Sequence, residues 1–87
     1  MAKSYTIQQF AGLSKTNPAF LRKMEYKGYL KPSGRVGKGR TRVYSERLIG
    51  YATGLNIIFK RYGDLENTLR FKSELESLQN NYKKYLN

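Results

Sequence analysis

The 87-residue chain predicts a mainly α fold carrying one small β-hairpin, on three observations. Two short apolar-periodic stretches, each opened by a helix-capping residue, occupy residues 6–27. A basic, glycine-rich stretch with a β-forming return follows them as far as residue 45. Two longer helical stretches, each with its own apolar stripe, fill the remainder.

Thr6 and Gln9 have the spacing of a capping box, in which the threonine oxygen accepts from the Gln9 amide and the glutamine reaches back. Ile7, Phe10 and Ala11 then recur at helical spacing, with Leu13 near the end, which predicts a helix over about residues 6–12. A helix of roughly two turns is stable only when packed. Gly12 to Thr16 form the turn. Asn17-Pro18 starts a second helix, because Asn is a favoured N-cap and Pro fits the first helical position. It runs to about Lys27 and ends at Gly28, where a left-handed residue is usually needed. Leu21 and Met24 face inward. Tyr29 and Leu30 make a short apolar anchor, and Pro32 prevents the helix from resuming.

Gly34, Gly37 and Gly39 alternate with Arg35, Lys38 and Arg40. Such a stretch is either a flexible basic loop or a hairpin whose glycines turn the chain and whose cations reach phosphates or a minor groove. Its place after two short helices favours the hairpin, with Thr41 to Tyr44 as the returning strand. That order describes a winged helix-turn-helix, a shape that reads duplex DNA.

Ser45 can cap a third helix, where Leu48, Ala52, Leu55, Phe59 and Tyr62 form one stripe widened by Ile49 and Ile58. Gly50 and Gly54 inside it either admit a close helix neighbour or simply weaken the helix, by about 1 kcal/mol each relative to Ala. Gly63-Asp64 reads as a stop and a new N-cap, with a last helix from about Leu65 to Tyr85. Phe71, Leu75, Leu78, Tyr82 and Tyr85 are spaced as a heptad seam. That seam either packs back on its own domain or takes a partner helix. The expectation is a homodimer held by these five residues, with a different protein as the other occupant. Residues 1–62 thus form the DNA-binding domain and 63–87 an oligomerisation or partner-binding segment.

Charge agrees with this division. Residues 1–44 hold ten Lys/Arg against one acid, Glu25, whereas residues 45–87 hold seven against five, so +9 of the +11 lies on the first half. A basic face of this kind suits a polyanion. The chain contains neither Cys nor His, which removes thiolate and imidazole metal ligands and the commonest general base. No enzyme, metal or cofactor is expected. No apolar run approaches bilayer length and no signal-peptide pattern opens the chain, so the expected location is the cytoplasm, with the nucleoid, and no membrane partner.

Residues 1–62 resemble the winged helix-turn-helix of the MerR (mercury-resistance regulator) family and its small excisionase-like relatives. The likeness is carried by Tyr5-Thr6-Ile7, by Asn17, Pro18, Leu21 and Arg22, by Gly28, Leu30 and Pro32, and by Arg42-Val43-Tyr44-Ser45. The spacing fits without gaps up to the hairpin, which is about one residue longer. Lys23 and Met24 stand where that family usually carries two aromatic residues. The family's sensing members add a long dimerisation helix and a Cys-bearing or separate effector region. This chain shows neither, so metal or drug sensing is not expected.

A recognition helix presents its N-terminal, solvent-facing side to the major groove. With Leu21 and Met24 inside, that side carries Ala19, Phe20, Lys23 and Lys27, after the Asn17 cap. Phe20 either contacts a thymine methyl or is buried against the first helix. The resemblance implies a phosphate contact for Arg22. Lys15 and Lys31 are further clamp candidates. The hairpin offers Arg35, Lys38, Arg40 and Arg42, the last lying beside the core residue Val43. The expected function is binding of double-stranded DNA to regulate transcription. Three alternatives remain: an excisionase or other DNA-architectural factor of a mobile element, a DNA-segregation adaptor, and a structural RNA-binding protein. The last lacks an aromatic strand platform for stacking bases.

Overall fold

A computed structural model describes residues 3–37, 41–63 and 65–86, with the side chain of Val36 left aside. The chain is mainly helical with one three-stranded antiparallel sheet. In order it forms β1 (Ser4–Thr6), α1 (Ile7–Leu13), α2 (Pro18–Tyr26), β2 (Gly34–Val36) and β3 (Thr41–Ser45). A 3-10 turn (Glu46–Leu48) then leads into α3 (Ile49–Tyr62), α4 (Leu69–Asn81) and the short α5 (Lys83–Leu86).

The local signals act as their chemistry requires. Thr6 Oγ1 accepts from the Gln9 amide at 3.4 Å, and the Gln9 side chain accepts from the Thr6 amide at 3.1 Å. Asn17 caps α2 by accepting from the Phe20 amide at 2.8 Å, with Pro18 in the first turn. At the other end Gly28 takes φ 85°. Its amide donates to the Glu25 carbonyl and the Tyr29 amide to the Met24 carbonyl, the paired bonds of a Schellman motif. Ser45 accepts from the Arg47 amide and opens the 3-10 turn rather than α3 itself.

β2 and β3 pair antiparallel with Arg35 opposite Arg42. β3 also pairs with β1, Tyr5 opposite Tyr44, so the sheet order is β1-β3-β2. The sequence reading missed β1, since three residues are too few to show alternation. Below the sheet the Phe10 and Tyr44 rings stack with centroids 4.9 Å apart. Leu21, Met24, Leu30, Tyr51, Ala52 and Leu55 complete the centre of the core.

The last helix differs from its expected course. Asp64 lies outside the described residues. α4 starts four residues later than expected, at Leu69, because Thr68 supplies the cap and accepts from the Phe71 amide. The helix breaks at Tyr82 before α5. Of the two covers expected for the heptad seam, the structure gives its own chain. Phe71 and Leu75 are buried, while Leu78, Tyr82 and Tyr85 are partly buried against the same core. Gly50 and Gly54 make this possible. A Cβ on Gly54 would lie 2.7 Å from Leu78 Cδ1, and one on Gly50 would collide with the Tyr82 hydroxyl. Of the two readings of these glycines, close helix approach is the one the packing shows.

Gly54→Val should therefore destabilise the fold by about 1–3 kcal/mol through overpacking. Paired with Leu78→Ala, it should show coupling of more than about 0.5 kcal/mol in urea unfolding. Strict additivity of the two changes would contradict the packing described. Leu75→Asp should unfold the chain, seen as lost helical circular dichroism, rather than release a folded monomer.

Candidate nucleic-acid interface

Helical spacing gathers Ala19, Arg22, Lys23 and Tyr26 on one exposed face of α2, opposite buried Leu21 and Met24. Tyr26 is 92% exposed, an unusual position for so large a ring, and sits one turn beyond Arg22. The sequence reading missed it, although its spacing from Arg22 was there to be used.

The two edges of this face differ. Toward the hairpin, Arg22, Arg35 and Arg42 line a groove of about 260 Å³ together with Ile7 and Thr41. Two arginines directly opposite across β2–β3 would repel. Glu25 relieves this on one side: its Oε2 meets the Arg42 guanidinium at 3.1 Å. Its Oε1 accepts from the Tyr44 hydroxyl at 2.8 Å. Arg42 Nε is buried with no acceptor among the described residues. Burial first, and the bond to Glu25 second, hold the Tyr44 phenol far above its ordinary pKa.

Toward α3, Lys23 shares a cavity of about 230 Å³ with Phe20, Asn56, Phe59, Lys60 and Gly63. Lys60 was not foreseen, because only the packing of α3 beside α2 brings it there. Phe20 is half-buried, its ring edge-on to Phe59 at 6.1 Å. Burial is thus the better of its two readings, with α3 rather than α1 as the cover.

The remaining candidates divide. The Asn17 side chain is engaged as the α2 cap. Lys27 donates to both oxygens of Glu66 at 2.8 and 3.0 Å, which raises its pKa and holds it on the α3–α4 connection. It is therefore not an unengaged groove-facing cation. Lys31 lines a separate hollow under Tyr85 and Leu86, away from the α2 groove. Lys38 and Arg40 lie outside the described residues. Lys15 is exposed in the α1–α2 turn at φ 57°, and its carbonyl accepts from the Asn56 side-chain Nδ2 at 3.3 Å.

Among the described residues no group of three or more His, Cys, Asp or Glu could hold a metal ion, and no helix is long and apolar enough to cross a membrane. Comparison with protein-family models, with curated proteins and with solved structures returned no match.

A left-handed lysine costs of order 1 kcal/mol that glycine would avoid. Lys15→Gly should then raise stability by about that amount in denaturant titration. If Lys15 serves the interface, the same variant should bind duplex DNA more weakly. Alkaline pH gives a second check. Folding holds Tyr44 protonated, so the stability it contributes is whole below about pH 10, the ordinary phenol pKa, and is lost as pH climbs above it. Tyr44→Phe should cost about 1 kcal/mol at pH 7 through the lost hydrogen bond, yet flatten the fall in melting temperature above pH 10.

Proposed function

We propose that the protein binds duplex DNA as a MerR-like winged helix-turn-helix and acts as a transcriptional regulator. The observation that carries this reading is one exposed helix face with a cation-lined hollow on each side. The exposed face of α2 is flanked by an arginine-lined groove at the hairpin and by Lys23 and Lys60 at α3. α2 enters the major groove, where Lys23 meets base edges and Tyr26 lies along the wall. Arg22 and Arg35 take phosphates of one strand. Lys15 and Lys60 take phosphates of the other. Phosphate contacts fix register and supply most of the affinity, while the side chains on α2 supply discrimination.

A second reading, the DNA-architectural factor of a mobile element, gains from one feature. The apolar seam of α4 is covered within the chain. A chain whose seam is engaged internally loses that route to a dimer, and tandem sites then suit it better than a palindrome. A footprint separates the two, since a single palindrome over a promoter supports the regulator and direct repeats beside an integrase attachment site support the architectural factor.

Binding to an isolated duplex site should weaken on the order of a hundredfold between 50 and 200 mM salt, as four phosphate contacts require. Arg22→Gln should reduce the slope of log affinity against log salt by about one for every sequence. Lys23→Ala should instead change base preference, by roughly 1–3 kcal/mol at one position. A flat salt response, or stronger binding to single-stranded RNA, overturns the reading.

A further inference from the structure

Glu25 is the single acid among residues 1–44, and its partner Arg42 lines a groove with Arg22 and Arg35. Its side chain is 17% exposed, against 39% for the Arg42 it holds. Both carboxylate oxygens are engaged, one by Arg42 and the other by Tyr44, so the group is fixed from two sides. The carboxylate is carried by α2 and both of its partners by β3. It is therefore a strut between the proposed recognition helix and the hairpin, and at the same time it pairs with one of the three arginines that line the groove.

These two effects act in opposite directions on DNA. Each cation recruited by phosphate strengthens binding to every sequence and steepens its salt dependence. A guanidinium engaged by a carboxylate is removed from that set. A fixed angle between helix and hairpin, by contrast, improves only the site whose base edges match the face of α2. We propose that Glu25 is a specificity-determining residue: it withholds Arg42 from indiscriminate phosphate contact and uses it to set the hairpin against α2. This rests on the duplex-DNA reading and adds to it a determinant of selectivity that itself touches no DNA.

Glu25→Gln is the direct test. Glutamine keeps the length and an oxygen for Tyr44 but releases the charge of Arg42. With random-sequence duplex, the slope of log affinity against log salt should steepen by about 0.9, one added phosphate contact. Random-sequence affinity should rise about threefold at 50 mM relative to 200 mM salt, beyond any change in the parent. The ratio of specific to random affinity should narrow. Adding Arg42→Gln should return the slope to that of the parent. An unchanged or shallower slope in Glu25→Gln, or a gain that survives Arg42→Gln, overturns the proposal while leaving DNA binding intact.

A second measurement uses the parent chain alone. The guanidinium NMR signals of Arg42 should stay in place when random duplex is added, while those of Arg22 shift. Movement of the Arg42 signals with random duplex also overturns the proposal. Failure of the DNA reading itself is distinguishable, because the parent would then show no salt-dependent duplex binding before any variant is made.

Discussion

Phe59 is the contact on which the proposed interface depends. Its ring lies 6.1 Å from Phe20 of α2, 5.8 Å from Tyr29 just past α2, and 5.1 Å from Phe71 of α4. Aromatic pairs of this kind contribute about 0.5–1.5 kcal/mol each beyond the area they bury. Here their more important effect is geometric. α2 has nine residues, too few to hold its own shape or direction in water. One side of it is held by Phe59 and the other by the Glu25 contacts to β3. Its outward face is therefore presented at a set angle to both the hairpin and Lys60.

The acids show a complementary arrangement. Glu25 meets Arg42, Glu66 meets Lys27, and Glu74 meets Arg61. Each pair joins different elements, so each works as a tether between parts of the fold. None of these carboxylates lies on the Ala19, Arg22, Lys23, Tyr26 face. Exposed ion pairs add little stability. Their placement matters more for the field, because among the described residues the cations of the α2 face have no compensating acid on that face. Tyr62 adds a further tie to Glu74, and its hydroxyl is held protonated by that bond.

What was legible in the sequence was what is determined locally. Thr6 with Gln9, Asn17 with Pro18, and Gly28 each act within four residues, and their caps form as read. The hairpin was legible because glycines bracket β-forming residues. What was not legible depends on a distant neighbour. β1 exists only because β3 is beside it. Lys27 lies on the outward side of an ideal helix, yet Glu66, which arrives from the α3–α4 connection, engages it. A heptad seam has the same spacing whichever surface covers it. The clue to its cover was elsewhere in the chain, in Gly50 and Gly54. Both lie on α3 with the i, i+4 spacing that opens one face of a helix, and Leu78 of α4 and Tyr82 just past it enter there.

On the proposed duplex-DNA reading, a chain that acts as a single copy is limited in what its selectivity can rest on. A dimer doubles its contacts on a palindrome and gains discrimination from the spacing of its two half-sites. A single small module buries only on the order of 600–1,000 Å² of protein surface on DNA, and much of its affinity is independent of sequence. For such a module every unneutralised cation strengthens wrong sites as much as right ones. Discrimination then has to come from a narrow set of base-edge contacts on a rigid helix, and from limiting the phosphate contacts beside it. A lone carboxylate facing an arginine-lined groove is an inexpensive way to achieve both, because one side chain stiffens the joint and lowers the charge.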